Sequence, residues 1–378
     1  MAKIELVNIT KRFNKVTALN NIDLVVEDKE FFVLFGPAGA GKTTILKTIA
    51  GVEFPDFGEV RIGGENVNLV EPSKRNISMV FENYALYPHL TVFDNIASPM
   101  RSPLYKKDEE TIKKEVHRVA SMMKIDHLLD RLPSQVSNGQ RQRTALGRCL
   151  VREPNVFLMD EPIAHLDAKL RHFMRAELKE MQNEFDTTTI YVTHDYLEAL
   201  SLGDRIGIIN EGVIEQVGTG DEVYLTPANE FVARLMGDPE INIFDIELVH
   251  GSNGLYAAML GQKRTCEIPA DVAEVLRNGS YENVRIGLRG NDIEYSFEKA
   301  NEDYINASIY SVEPIGNKTI LVIEVNGEQL RVIAPNDIKA ELDQEIFVRV
   351  KMDKAMFFNA DDSRYIIRHN QKELLEVN

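Results

Sequence analysis

The sequence has little cysteine, no excess of positive charge and no long apolar run. Its only cysteines, Cys149 and Cys266, suit a reducing compartment and suggest no disulfide framework, although two thiols could pair by accident. The formal net charge of −16 argues against a general nucleic-acid-binding protein, which would show a basic surface. No apolar run reaches the roughly 18 residues that a membrane-spanning helix needs, so none is expected.

Length and composition are typical of a soluble protein with several domains. A chain of 378 residues suggests two or three domains, and 44% hydrophobic with 27% charged residues is ordinary for a globular protein. The first residues alternate apolar and charged side chains, which favours a strand over a secretory signal. Together these features predict a cytoplasmic protein.

Two regions differ in their hydrophobic pattern, and we place the boundary between residues 236 and 237. Residues 1–236 mix short β-branched runs with amphipathic helical runs, which predicts an α/β sheet domain, with a mainly helical insertion at about 90–150. Residues 237–378 contain closely spaced strand candidates. Asn326-Gly327 separates two of them and indicates a type I′ hairpin. The second region is therefore predicted to be a small all-β barrel.

A glycine-rich run from Gly36 to Thr43 fits the pattern G-x-x-x-x-G-K-[ST] between a strand-like and a helix-like run. Backbone N–H groups of such a loop, together with a helix N-terminus, bind the phosphates of a nucleotide. Lys42 is expected to reach the β- and γ-phosphates, and the Thr43 hydroxyl to bind Mg²⁺. The alternative is a structural glycine-rich turn. The predicted nucleotide-binding residues here are Gly36, Gly39, Ala40, Gly41, Lys42, Thr43 and Thr44.

Two acids follow a second apolar run, residues 156–159. Asp160 is expected to organise Mg²⁺ and its waters, and Glu161 to act as general base toward the attacking water. The alternative is a pair of surface acids after a core strand.

A third motif, VSNGQ at residues 136–140, resembles the LSGGQ signature of ATP-binding-cassette ATPases. The resemblance implies a head-to-tail pair of cassettes that bind ATP and Mg²⁺. In such a pair, the signature of one cassette closes on the nucleotide held by the glycine-rich loop, or P-loop (Gly36–Thr43), of the other. Ser137, Gly139, Gln140 and the following helix N-terminus would supply that second anion site.

Other short matches support the same family. His194, in a Thr-His-Asp run, resembles the switch histidine that contacts the γ-phosphate, the alternative being a structural histidine. Residues 165–167 resemble the loop that bridges the two protomers. Phe13 matches the aromatic residue that stacks on adenine, the alternative being a core phenylalanine.

Longer stretches at residues 83–100, 221–237 and 284–295 resemble MalK-type importer ATPases. This resemblance implies a P-loop NTPase with a RecA-like core and helical subdomain, followed by an OB- or TOBE-like regulatory barrel. It also implies an ATPase at the cytoplasmic face of the inner membrane that powers import of a sugar, polyol or related solute. The expected partners are a second ATPase subunit, two integral-membrane permease subunits docked near Tyr84 to Val92, and indirectly an extracytoplasmic solute-binding protein.

The sequence departs from the family at two places. Glu82 replaces the usual glutamine and would place a third carboxylate near the Mg²⁺, so we expect slower or more pH-sensitive hydrolysis, the alternative being a tolerated variant. Val136 and Asn138 replace the usual leucine and glycine of the signature. These changes raise the alternative of a partly degenerate, regulatory cassette in a heterodimer with unequal sites.

Two rival functions are weighed against an importer subunit. A soluble cassette protein that remodels nucleic acid or ribosomes should have tandem cassettes, a long coiled coil or basic extensions, which this sequence lacks. A regulatory protein without ATP hydrolysis is disfavoured by the retained Glu161 and His194.

Overall fold

The computed structural model describes residues 2–81, 83–152, 154–164, 166–185, 187–252, 254–261, 265–279, 281 and 283–376. The chain divides into two compact units, Met1–Gly220 and Asp221–Asn378.

The first unit combines strands and helices in the order expected of an α/β domain. Its strands are β1 (Ile4–Phe13), β2 (Val16–Val26), β3 (Phe31–Phe35), β4 (Phe57–Ile62), β5 (Glu65–Asn66), β6 (Ile77–Val80), β7 (Val156–Asp160), β8 (Thr188–Thr193), β9 (Arg205–Asn210) and β10 (Val213–Gly218). Its helices are α1 (Lys42–Ala50), α2 (Val92–Ala97), α3 (Glu109–Met122), α4 (Asn138–Leu150), α5 (Ala168–Phe185) and α6 (Tyr196–Leu202). Short 3₁₀ turns lie at Pro72–Lys74, Ser98–Arg101, Asp126–Leu128 and Pro133–Gln135.

A six-stranded sheet with the order β10-β9-β3-β8-β7-β6 forms the centre of this unit. Strands β9, β3, β8, β7 and β6 are parallel, and β10 pairs antiparallel with β9. All residues of β3, β7 and β8 are buried, which explains why β3 is apolar throughout and why β7 is apolar up to Asp160. Because the carboxyl ends of parallel strands meet at one edge, the loops that follow these three strands come together.

An antiparallel sheet, β2-β1-β4-β5, shares a hydrophobic core with the central sheet and α1. Residues Ile4, Leu24 and Val60 of this sheet lie in the same cluster as Leu34 and Leu46. Helix α1 is therefore packed within the core at the end of β3, which fixes the loop between them.

Helices α2, α3 and α4 lie between β6 and β7 in the chain. A Cβ atom on Gly147 of α4 would lie 3.2 Å from Val119 and 3.3 Å from Ile96. The missing side chain thus lets α4 approach α2 and α3 closely.

The second unit consists mainly of antiparallel strands. The strands are β11 (Asn242–His250), β12 (Leu255–Met259), β13 (Thr265–Glu267), β14 (Val284–Leu288), β15 (Ile293–Ser296), β16 (Ile305–Ile315), β17 (Lys318–Val325), β18 (Glu328–Pro335), β19 (Glu345–Val350), β20 (Met356–Asn359) and β21 (Tyr365–Arg368). The helices are α7 (Gly220–Leu225), α8 (Glu230–Leu235), α9 (Ala270–Asn278) and α10 (Gln371–Glu376), and a 3₁₀ turn lies at Gly290–Asp292. Two sheets, β13-β12-β11-β14-β20-β21 and β15-β19-β16-β17-β18, enclose one core.

The predicted hairpin at Asn326-Gly327 is confirmed. Both residues have left-handed φ angles, 51° and 89°, and Val325 pairs with Glu328 across the turn. Helix α9 was not expected, because the sequence pattern indicated strands throughout this region.

The division after Gly220 lies earlier than the boundary that the sequence suggested. Helix α8 belongs with the strands, since Glu230 is 3.1 Å from Arg285 of β14. The Arg289 guanidinium likewise donates to the carbonyls of Tyr224 and Met236 at 2.8 and 2.6 Å. These contacts join residues 221–236 to the second unit.

Candidate active site

The loop between β3 and α1 follows a path that only glycine adopts readily. Gly39 and Gly41 have left-handed φ angles of 80° and 110°. A Cβ atom on Gly36 would lie 2.2 Å from the carbonyl oxygen of Ile209, so no larger residue fits there. Ala40 is buried, and its carbonyl accepts from Gly212 N at 2.9 Å. The loop is thus held tightly at the amino end of α1, where backbone N–H groups favour an anion.

Lys42 is the first residue of α1, and it is only 6% exposed. Its Nζ donates to the carbonyl oxygens of Gly36 and Pro37, both at 2.8 Å. The ammonium group is therefore folded back along the loop, beside the place where phosphates are expected. Thr44, the third residue of α1, uses its backbone carbonyl to accept from Thr48 Oγ1 at 2.7 Å.

Thr43 and Asp160 approach each other across the sheet edge. Thr43 Oγ1 donates to Asp160 Oδ1 at 3.1 Å, and Asp160 is 3% exposed at the end of β7. A hydroxyl and a carboxylate are oxygen ligands of the kind that Mg²⁺ prefers, and this ion usually retains waters and binds substrate phosphates as well. The pair fits such an ion. Among the residues that the structure describes, no three His, Cys, Asp or Glu side chains cluster as a metal cage.

Glu161 and His194 meet next to this pair. Glu161 Oε2 lies 3.0 Å from His194 Nδ1. The backbone of Glu161 has a φ of 48°, which is uncommon for a residue with a side chain, and its N–H donates to Val192 O at 3.1 Å. Strained backbone of this kind is frequent at functional sites, because surrounding contacts must hold it. The side chain of His194 is 59% exposed and that of Glu161 21%, so the pair faces solvent.

A buried carboxylate that the sequence analysis missed contacts Thr193, the residue before His194. Glu198 of α6 is 3% exposed and accepts hydrogen bonds from Thr193 Oγ1 at 2.7 Å and Tyr191 Oη at 2.9 Å. Burial raises the pKa of Glu198, with hydrogen bonds from the two hydroxyls opposing it. Burial, followed by the charge of Glu198, also raises the pKa of Tyr191. The only sequence feature that marks Glu198 is that it is a single acid among apolar residues shortly after His194.

The signature segment forms the start of helix α4. Ser137 caps the helix: its Oγ accepts from Gln140 N at 3.3 Å, and Gln140 Oε1 accepts from Ser137 N at 2.8 Å. Asn138 Oδ1 accepts from Arg141 in the first turn. A Cβ atom on Gly139 would lie 3.2 Å from Leu166. The signature and the residue after His165 are therefore in close contact.

An open cavity of about 300 Å³ adjoins this helix end. Its lining is Lys124, His127, Ser137, Gly139, Gln140, Arg143, Leu166 and Asp167. Among the described residues, this lining includes none from Gly36–Thr43.

Phe13 ends β1 at the turn into β2. It is 41% exposed, so the alternative of a core phenylalanine is wrong. The Lys11 ammonium lies 5.1 Å from its ring centroid. Two predicted positions, Glu82 and His165, lie outside the described residues.

None of the helices in the described ranges has the length and apolar character required to cross a membrane.

Comparison with known proteins found a matching family model, relatives of similar sequence and similar solved structures. The ABC transporter family model matches residues 19–164. The trehalose/maltose import ATP-binding protein MalK of Thermococcus litoralis is 44% identical over 339 residues, covering 86% of this chain and 89% of the relative. The sn-glycerol-3-phosphate import ATP-binding protein UgpC of Psychromonas ingrahamii is 39% identical, covering 99% and 100%. A dimeric ATP-binding cassette in a post-hydrolysis state, bound to ADP and Pi, superposes with a TM-score of 0.54 at 29% identity, covering 57% of this chain and 98% of that one.

Proposed function

The chain belongs to the ABC transporter family as a MalK-type ATPase that powers import, and from that premise we propose that its solute is a sugar, a polyol or a related small molecule. The relatives support this solute class, since trehalose, maltose and sn-glycerol 3-phosphate appear in their names. They do not favour the alternative of a regulatory cassette.

The observation that carries the proposed site is the meeting of three loops at one sheet edge. The Thr43–Asp160 distance of 3.1 Å joins the amino end of α1, which follows β3, to the end of β7, and the Glu161–His194 distance of 3.0 Å joins the ends of β7 and β8. Asp160-Glu161 thus contacts both the P-loop residue Thr43, which lies 117 residues before Asp160 in the sequence, and His194 of the following strand end.

In the proposed mechanism, these residues position ATP and water. The P-loop N–H groups and Lys42 bind the β- and γ-phosphates, and Thr43 and Asp160 hold Mg²⁺, which neutralises phosphate charge when bound. Glu161 accepts the proton of the attacking water as general base. His194 contacts the γ-phosphate through the ring nitrogen turned away from Glu161. We retain Glu82 as a further proposed metal and catalytic residue on sequence grounds.

A second cassette completes each site in this proposal. The Ser137 hydroxyl, the backbone near Gly139 and Gln140, and the amino end of α4 would bind the nucleotide held by the partner's P-loop. Phe13, exposed at the β1–β2 turn, would stack on the adenine of its own site. The second cassette could be an identical subunit or a different one, since either would supply a signature segment to the partner's P-loop.

The docking segment, residues 84–92, is the proposed contact for the permease. Tyr87 is 47% exposed there, and His89 lies beside it with ring centroids 6.3 Å apart. An amphipathic helix from each of two permease subunits would bind at such a surface. The subunit would then sit peripherally on the cytoplasmic face of the inner membrane, linked through the permease to an external solute-binding protein.

The second unit is proposed to be a regulatory barrel of the OB or TOBE type. Its support is the pair of antiparallel sheets around a single core, a construction that leaves loops at the ends of the strands for binding.

Purification with a membrane partner tests the proposed function. A tagged chain that is expressed in its native host should co-purify with two integral membrane proteins. Proteoliposomes that contain this complex should take up trehalose, maltose, a sugar alcohol or sn-glycerol 3-phosphate when ATP is supplied. Co-purification with ribosomes or nucleic acid, and no membrane protein, would contradict it. A complex with one kind of ATPase subunit would exclude the heterodimer.

A further inference from the structure

The docking segment begins in an unusual conformation that one side chain holds. Tyr84 and Ala85 have left-handed φ angles of 63° and 43°, which residues with a Cβ atom disfavour. Both of their carbonyl oxygens accept from Arg148, at 2.9 Å from Nη2 and 2.7 Å from Nη1. The guanidinium carbon of Arg148 also lies 5.6 Å from the centroid of the Tyr87 ring. One guanidinium thus binds two successive peptide groups and faces an exposed aromatic side chain.

The remainder of the segment is fixed by Asn95 of helix α2. Asn95 is fully buried, and its Oδ1 accepts from Tyr87 N at 2.8 Å. Its Nδ2 donates to the carbonyls of Tyr87, Leu90 and Thr91 at 2.9–3.1 Å. The start of the segment is thus bonded to α4 through Arg148, and its remainder to α2 through Asn95. We therefore expect a displacement of Tyr87 to be transmitted to both helices.

Arg148 lies on the helix that starts at the signature. Ser137 caps the amino end of α4, and Arg148 lies close to its carboxyl end at Leu150. A helix of this length is roughly 20 Å long and moves nearly as a rigid rod. The close approach of α4 to its neighbours at Gly147 leaves little room for sideways movement near Arg148. Because α4 is confined at Gly147, movement of the Tyr84–Ala85 turn is expected to tilt the helix about that point and so to displace its amino end at Ser137.

We propose that Arg148 is a positioning residue that couples the docking segment to the signature end of α4. Permease binding at residues 84–92 would set the position of Ser137 over the partner's nucleotide through this side chain. The inference rests on the proposed function, because it needs a permease at the segment. We expect lysine to be a poor substitute, since the guanidinium presents two N–H groups at a fixed spacing to the two carbonyls and faces the Tyr87 ring, whereas an ammonium is a compact point charge on a flexible stem.

The decisive comparison is between the assembled transporter and the full chain alone. Variants R148K and R148A are purified with the membrane subunits in lipid nanodiscs, and their ATP hydrolysis is measured beside wild type. For the chain alone, the affinity for a non-hydrolysable ATP analogue and the melting temperature are measured. We expect both variants to lower kcat of the assembled transporter by at least about fivefold, with analogue affinity changed by less than about twofold.

R101K serves as the matched control. Arg101 pairs with Asp94 and Glu109 at 2.7 and 3.0 Å in the same helical region, and its bonds go to side chains outside the docking segment. Its substitution should leave the rate of ATP hydrolysis by the assembled transporter at the wild-type level. The proposal would be overturned if assembled R148K transporters hydrolysed ATP at the wild-type rate. It would also be overturned if the melting temperature or the nucleotide affinity of the R148K chain alone fell enough to account for the lower hydrolysis rate of the assembled transporter. A wild-type chain that binds no membrane subunit would instead refute the proposed function.

Discussion

Oε2 of Glu161 and Nδ1 of His194 lie 3.0 Å apart, and this contact ties together the ends of the neighbouring strands β7 and β8. It turns Nδ1 toward the carboxylate and Nε2 away from it. The proposed general base thereby lies beside the residue proposed to contact the γ-phosphate, so loss of either side chain should affect hydrolysis more than binding.

The substitution E161Q tests the proposed base. The amide keeps the size of the side chain but cannot accept the proton, so ATP hydrolysis by the assembled transporter should fall by about 10²- to 10⁴-fold. Nucleotide affinity, measured with a fluorescent ATP analogue, should persist. E180Q, at an exposed position of α5, should retain the wild-type rate. Equal hydrolysis by wild type and E161Q would remove Glu161 from the mechanism.

The substitution K42M tests the phosphate site. The methionine retains an unbranched apolar side chain but removes the charge that is bonded to the P-loop carbonyls. Loss of a charge-assisted hydrogen bond predicts ATP binding about 10- to 150-fold weaker, measured by titration calorimetry. K47M, five residues further along α1, is the control and should bind ATP normally.

The substitution E82Q tests the departure from the family. The amide removes one of three expected carboxylates, so the assembled transporter should hydrolyse ATP faster or with a flatter pH profile than wild type. Measuring the rate of ATP hydrolysis by both transporters from about pH 6 to about pH 9 distinguishes these effects from the alternative that Glu82 is a tolerated variant. An unchanged rate and an unchanged profile would show that the glutamate is tolerated without consequence.

The substitution G51A tests how α1 is anchored. Gly51 caps α1 with a φ of 79°, and a Cβ atom there would lie 2.5 Å from Cζ of Arg75. We expect the free energy of unfolding to fall by about 2–4 kcal/mol, from left-handed strain plus the clash. G64A shares the left-handed φ, at 86°, but its Cβ meets open space, so about 1–2 kcal/mol is expected. Equal losses in denaturant melts would show that the Arg75 contact does not matter.

Glu198 gives a prediction of pH dependence. Because burial raises its pKa in the fold, the folded chain binds this proton more tightly than the unfolded chain. The resulting stabilisation is present at low pH and is lost as pH rises through the raised pKa. E198Q cannot titrate and retains an oxygen acceptor for Tyr191 and Thr193. Its melting temperature relative to wild type should therefore be higher at about pH 8 than at about pH 5. A constant difference at both values would contradict this assignment.

The motifs were visible in the sequence because each is contiguous and ends a parallel strand. Gly36–Thr43, Asp160-Glu161 and His194 could be assigned to one site before the fold was known, since strand ends of a parallel sheet converge. Their catalytic roles remain predictions.

Arg75, Arg148 and Glu198 were not found from the sequence, because each is a single residue. The guanidinium of Arg75 donates to the carbonyls of Thr48, Ile49, Val67 and Val70. Backbone acceptors have no sequence signature, so such contacts emerge only from the fold. The same reason explains why the sequence analysis placed the domain boundary later than the division after Gly220, since the bonds of Arg289 to residues 224 and 236 are equally invisible in the sequence.

The order of strands in the central sheet has a consequence for synthesis of the chain. Strand β3, which leads into the P-loop, lies between β8 and β9, and both are made long after it. At a translation rate of about 5–20 residues per second, the roughly 150 intervening residues take about 8–30 seconds to emerge. During that interval a nascent chain carries the complete phosphate-binding motif without either neighbour of its strand. Nucleotide binding should therefore begin only when most of the first unit has left the ribosome, and ATP can stabilise this fold only late in its formation.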